Sequence, residues 1–158
     1  MIFNFTDDFQ FSTRLYLENT LLEIICDTKL LGTVISFDLK WPKNTEMLVK
    51  KAYQRMVILR ELCSFKVKEQ DLVNIYILYI RSLLEQSCQV WHYTITEEEI
   101  IDLERVQKVA CRIILKDDYL GYDQALEVLE LDTLKTRRNK LCLQISKTRL
   151  IYYYVTAI

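Results

Sequence analysis

Glycine, proline and histidine are almost missing: the 158 residues include 2 Gly, 1 Pro and 1 His. So few breakers exclude a disordered linker, a collagen-like repeat and a loop-rich β-sandwich. They favour long helices, which Gly and Pro would interrupt. Gly32 and Gly121 are isolated, so no glycine-rich loop is present to cradle phosphates. With one histidine, any catalytic triad must run through His92, which follows Trp91 and reads as a partly buried residue at a helix end. Cys88 and His92 stand one helical turn apart, but no second pair lies near and a structural zinc site takes four ligands. No catalytic residues and no metal ligands are therefore expected. Long apolar runs are also lacking: Leu72–Ile80 and Leu150–Ile158 are nine residues each, against the roughly 20 of a membrane span. No membrane partner is expected.

The five cysteines (Cys26, Cys63, Cys88, Cys111, Cys142) are scattered, with no C-x-x-C and no signal-peptide pattern at the N-terminus. That usage reads as reduced, mostly buried and intracellular, in nucleus or cytoplasm alike. Net charge is −1, but it alternates along the chain. Residues 1–42 carry 3 basic and 6 acidic side chains, 43–68 carry 7 and 2, 69–132 carry 5 and 14, and 133–158 carry 6 and 0. Two basic blocks around an acidic one can present a basic face on an acidic body, or can simply be solvated helix faces.

The pattern predicts an α+β chain, mainly α with a small N-terminal β part: antiparallel β-hairpins followed by a bundle of four to five helices. Residues 1–41 read as β. Ile2-Phe3-Asn4-Phe5 and Phe9-Gln10-Phe11 flank Thr6-Asp7-Asp8, and Arg14–Leu17 and Leu21–Ile25 flank Glu18-Asn19-Thr20. Leu30–Ile35 is a third β-branched run. After Trp41-Pro42 the period becomes helical, with Asn44 or Thr45 as cap and Leu48, Ala52, Met56, Leu59 and Cys63 as core stripe. A second helix, from about Lys68 to Cys88, is apolar nearly all round and reads as central. A third opens on the capping box Thr96–Glu99, with Ile100, Leu103, Val106, Ala110 and Ile113 facing the core. A short helix near Asp123–Leu129 and a longer one from about Asp132 into the 140s complete the set. Phe5-Thr6-Asp7-Asp8 has the look of an aromatic-x-Asp-Asp metal hairpin. A third carboxylate would have to come from well upstream, though, and only four residues precede Phe5, so Asp7 and Asp8 read as turn residues.

A larger pattern spans about Lys29 to Lys147. Its pieces are Thr28-Lys29-Leu30-Leu31-Gly32-Thr33, Asp38-Leu39-Lys40-Trp41, Val49-Lys50-Lys51-Ala52, Ile75-Tyr76-x-x-Tyr79-Ile80-Arg81-Ser82-Leu83-Leu84-Glu85-Gln86-Ser87-Cys88 and Val90-Trp91-His92. Leu103-Glu104-Arg105-Val106-Gln107-Lys108, Ile113-Ile114-Leu115, Tyr122-x-x-Ala125-Leu126 and Arg137-Arg138-x-Lys140-Leu141-Cys142-Leu143 follow. In order and spacing these resemble the stretch after the catalytic core of non-LTR, jockey-like retrotransposon reverse transcriptases. The resemblance implies an end of palm over 1–41, a helical thumb over 42–147 and a divergent apolar tail over 148–158.

It further implies a fragment of an RNA-directed DNA polymerase that lacks the catalytic carboxylates, with Mg²⁺ and catalysis belonging only to a longer parent and Met1 at an internal position of its pattern. Leu31-Gly32 becomes a primer-side turn. Lys50, Lys51 and Arg55 become phosphate contacts for an RNA–DNA or DNA template–primer duplex, with Arg105, Lys108 and Arg112 as weaker ones. The missing palm and fingers are the implied protein partners. The residues themselves leave other readings open: those last three cations can simply pair with neighbouring glutamates, and, separately, the apolar tail and incomplete β-layer fit a domesticated or unrelated helical interaction module.

Overall fold

The computed structural model describes the backbone of residues 16–18, 20–21 and 25–156, with side chains of the last helix as far as Ile145. The hairpin expected over Ile2–Phe11, with Asp7 and Asp8, lies outside the described residues. The next is present as β1 (Tyr16–Leu17) and β2 (Thr20–Leu21), antiparallel with Tyr16 opposite Leu21. Leu30–Ile35, expected as one extended run, instead folds back on itself. β3 (Asp27–Leu30) and β4 (Thr33–Ser36) pair antiparallel, Lys29 opposite Val34. Leu31 and Gly32 make the two-residue turn at φ +49° and +88°, the mirror-image turn geometry whose twist matches a hairpin. Only Gly32 adopts such a φ without strain.

Helices supply the rest, in the order expected: α1 (Pro42–Ser64), α2 (Glu69–Ile75), a π-helical stretch (Tyr76–Arg81), α3 (Ser82–Leu84), α4 (Cys88–Trp91), α5 (Glu97–Leu115), α6 (Tyr122–Val128) and α7 (Leu134–Thr156). From α2 to α3 the chain runs as one helix; it stops at Leu84 rather than Cys88, and Ser87 turns left-handed at φ +52° before the single turn of α4. The chain is thus α+β, hairpins first and helices after.

α1 buries the five residues its spacing singles out, Leu48, Ala52, Met56, Leu59 and Cys63. Its start differs from expectation. Trp41 holds the cap position with Pro42 in the first turn, where a missing N–H costs nothing. Asn44 and Thr45 lie inside the helix and bond outward: Asn44 Oδ1 accepts from Val34 N (3.1 Å) and Thr45 Oγ1 donates to Glu99 Oε1 (3.0 Å). Those two bonds tie β4 and α5 to the first turn of α1. The Thr96–Glu99 capping box is formed in full.

The second helix is central on one side only: its apolar Leu78 and Tyr79 face outward, 75% and 41% exposed. Leu72, Tyr76, Ile80 and Leu84 are the buried line, each four residues from the last. A plain α-helix advances about 400° in four residues, a drift of about 40° per step. Its line would therefore slide about 120° off the core by Leu84. The wider π turn winds less per residue and removes the drift.

One core joins α1 through α7, with α1 lying along α5. Two buried polar clusters cross it. Gln107, fully buried, accepts from the Tyr76 hydroxyl (2.6 Å) and donates to the Tyr122 hydroxyl (3.0 Å) and the Asp132 carbonyl (2.9 Å). Tyr122 in turn donates to Glu104 Oε1, which also accepts from Leu134 N. Burial and that carboxylate push the Tyr122 phenol well up.

In the second cluster Arg138, also fully buried, donates from Nε to His92 Nδ1 (3.2 Å) and spreads over the Trp91 ring at 5.7 Å. His92 Nδ1 is therefore an acceptor, and Nε2–H donates to Asn139 Oδ1 (2.8 Å). Burial first, then the Arg138 and Lys135 charges, hold His92 below its ordinary 6.5 against the opposing effect of Asn139. Protonation at Nδ1 would set two cations face to face.

A depressed histidine pKa makes the unfolded chain the better proton binder below about pH 6.5. Stability carried by His92 is complete above that pH and is lost below it, by up to about 1.4 kcal/mol per pH unit until the folded value is passed. Urea unfolding at pH 7.5 and pH 5.5 checks this, with His92→Gln as reference. Equal pH slopes in both proteins would remove His92 as the cause.

Candidate nucleic-acid interface

The basic side chains of α1 fall on its outer surface because the Leu48–Cys63 stripe claims the inner one. Lys51 and Arg55 are four residues apart and share a face about 6 Å along the axis, and Lys50 sits in the adjoining row with Gln54. Lys50 is exposed; Lys51 and Arg55 are half-buried. The Arg55 guanidinium lies over the Tyr79 ring at 4.6 Å and its Nη1 donates to the Tyr79 carbonyl at 2.5 Å. This leaves its other N–H groups for a ligand. Lys51, Gln54, Arg55, Ile58 and Tyr79 line an open groove of about 360 Å³.

The charge of Lys29, on β3, reaches Lys51. Desolvation of Lys51, followed by the charges of Lys29 and Arg55, holds its ammonium below the ordinary lysine range. No ion pair among the described residues involves Lys29, Lys50, Lys51 or Arg55. The nearby lysine that does have a carboxylate, Lys43, pairs with Asp27 and is shifted upward by it. Lys29, Gln54 and Tyr79 were not foreseen as site residues. Nothing in the spacing of 29 and 51 signals that a hairpin returns toward the third turn of the helix after it.

Leu31 and Gly32 sit at the hairpin tip. The Leu31 side chain is 88% exposed, while its carbonyl accepts from Gln86 Nε2 at 3.1 Å. A Cβ on Gly32 would come within 2.4 Å of that Nε2. The glycine thus serves both the positive φ and the close approach of Gln86. The tip is anchored to the connection between α3 and α4.

The three cations of α5 are engaged locally, and not by glutamates. Arg105 pairs with Asp102, Lys108 lies over the Tyr122 ring at 4.9 Å, and Arg112 over the Tyr119 ring at 5.2 Å. A second surface hollow, of about 500 Å³, is floored by Trp41, Pro42 and Val49 and rimmed by Glu46, Glu98, Glu99 and Asp102. Its sign is opposite to that of the α1 groove, so the two faces would repel and attract the same polyanion. Among the described residues no three His, Cys, Asp or Glu side chains gather to hold a metal ion, and no helix is long and apolar enough to cross a membrane. No protein family, no curated protein and no solved structure matches this chain.

Proposed function

We propose that this chain is a thumb-like region of a retrotransposon reverse transcriptase, and that α1 grips the template–primer duplex through backbone phosphates. The observation that carries the reading is the strip Lys50, Lys51 and Arg55, three cations on one helix with no carboxylate partner among the described residues. Cations held in that state are offered to an anion from outside. Ammonium and guanidinium groups contact phosphates without reading bases, which is what a polymerase sliding along any sequence requires. Catalysis and Mg²⁺ binding belong, on this reading, to residues outside this chain. Arg105, Lys108 and Arg112 are subsidiary, because each would first leave the partner it has. Leu31 projects from an anchored turn and is the apolar contact nearest the primer end.

The other reading, a helical module for a protein partner, draws on the apolar side chains Val57, Phe65 and Leu78, which are 49%, 78% and 75% exposed. Fluorescence anisotropy of a labelled RNA–DNA hybrid, titrated with the chain at several salt concentrations, separates the two. Phosphate gripping gives affinity that falls with salt, with a log–log slope of about −0.9 per phosphate engaged. Substituting Lys50, Lys51 and Arg55 together by Gln abolishes most of it. No binding at low salt, or binding indifferent to salt, leaves the protein-partner reading in place.

A further inference from the structure

Lysine and arginine need different things from their surroundings. An ammonium is a point charge that works from any direction. A guanidinium is a flat fork of N–H donors, and it gains from that shape only when the fork is held at the right angle. Arg55 is held. Its guanidinium lies over the Tyr79 ring at 4.6 Å, and its Nη1 donates to the carbonyl of the same residue at 2.5 Å. The ring sets the height of the fork, and the carbonyl sets its rotation above the ring. With Nη1 engaged, the Nε–Nη2 edge has no partner among the described residues. Tyr79 is itself well fixed, because Tyr76 before it and Ile80 after it have no exposed surface. Its own ring stays partly open and forms a wall of the groove with Lys51, Gln54, Arg55 and Ile58.

We infer that Tyr79 is the positioning residue of this interface: it holds the Nε–Nη2 edge of Arg55 ready for two oxygens of one anion. On the reading given above, on which this inference rests for naming the ligand, the anion is a backbone phosphate of the gripped duplex. A fork fixed beforehand loses little freedom on binding and engages a phosphate through two parallel bonds. A lysine in the same place would offer one swivelling charge. Position 55 therefore calls for arginine, while Lys50 and Lys51 beside it supply charge without direction.

Fluorescence anisotropy of a labelled RNA–DNA hybrid tests this with Tyr79→Leu, Tyr79→Phe, Arg55→Lys and the double variant of Tyr79→Leu with Arg55→Lys. Tyr79→Leu keeps the carbonyl and every charge but removes the ring. It should weaken binding about two- to fivefold, the size of an exposed cation–π contact, with the salt slope unchanged. Tyr79→Phe keeps the ring and should bind as the unaltered chain does. Arg55→Lys should lose affinity by itself and almost none on top of Tyr79→Leu, since an unsupported fork is little better than an ammonium. Losses that multiply in the double variant mean that Tyr79 touches the duplex on its own account. Full binding by Tyr79→Leu means that Arg55 needs no support; either result overturns the inference. Circular dichroism establishes that each variant keeps the helical fold. A second readout uses no nucleic acid: NMR relaxation of the Arg55 Nε–H in the free chain should show an ordered side chain with tyrosine or phenylalanine at 79 and a mobile one with leucine. If the hybrid fails to bind while the ring orders Arg55, the polymerase reading falls and the positioning of Arg55 stands. If the hybrid binds with a salt slope while Arg55 is equally mobile with and without the ring, the positioning role falls and the polymerase reading stands.

Discussion

Replacing Trp91 by alanine lowers the unfolding free energy by about 3–5 kcal/mol, the range for emptying a large aromatic site in a packed core. Trp91 has no exposed surface, and its indole N–H donates to the Gln86 carbonyl at 3.0 Å. Arg138 lies over its ring, and Gln86, whose carbonyl takes the indole N–H, is also the residue that anchors the hairpin tip. The truncation thus removes volume and also frees the Gln86 backbone. At about 2–4 °C per kcal/mol for a chain of this size, the midpoint falls by on the order of 10 °C. Urea denaturation followed by circular dichroism measures it. Trp91→Phe recovers most of the packing but not the N–H bond, and lies between. A loss under about 1 kcal/mol would mean that the core does not close on Trp91.

Gln107→Leu is the second large effect, and it acts through unmade hydrogen bonds rather than a void. Leucine fits a similar volume but leaves the Tyr76 hydroxyl and the Asp132 carbonyl without their partner inside the core. Each buried group so orphaned costs about 1–3 kcal/mol, which puts the substitution near 3 kcal/mol. The test is a double-mutant cycle with Tyr76→Phe, in which the hydroxyl needing Gln107 is gone. Replacing both partners by apolar groups is far milder than replacing one. The double variant should therefore be more stable than Gln107→Leu alone. Additive losses would show that the two side chains do not share a bond.

Gln107 also marks a place where local sequence pattern stops being a guide to the fold. Regular apolar spacing gave the inner face of α1 in full, since Leu48 to Cys63 follows the helical period and Pro42 and Trp41 announce the start. The capping box of α5 was equally legible, because its two residues act within one turn. The core face of α5 was placed slightly askew: Ile100 and Ile113 are only half-buried, and the face turns toward Gln107, Cys111 and Ile114. Gln107 hid it, being a polar residue on the buried side whose partners come from the π stretch, α6 and the loop before α7. Asn44 and Thr45 misled as caps for a related reason, their bonds running to β4 and α5. Lys29 is the case that bears on function. The return of a hairpin toward a helix brings its charge within reach of Lys51, and only tertiary structure does that.

The π stretch leaves a trace in chain length. Taking one residue out of Tyr76–Arg81 would change the buried spacing of Leu72, Tyr76, Ile80 and Leu84 from four, four and four to a four, three and four sequence. An ordinary α-helix satisfies that spacing with the same side chains inward. The supernumerary residue is therefore dispensable to the core. What it alters is the outer surface, where Leu78 stands out and the Tyr79 ring and carbonyl meet Arg55. Length variation within this helix would be nearly silent for folding and visible at the groove, so a homologue one residue shorter there would keep the bundle and reshape the seat of its arginine.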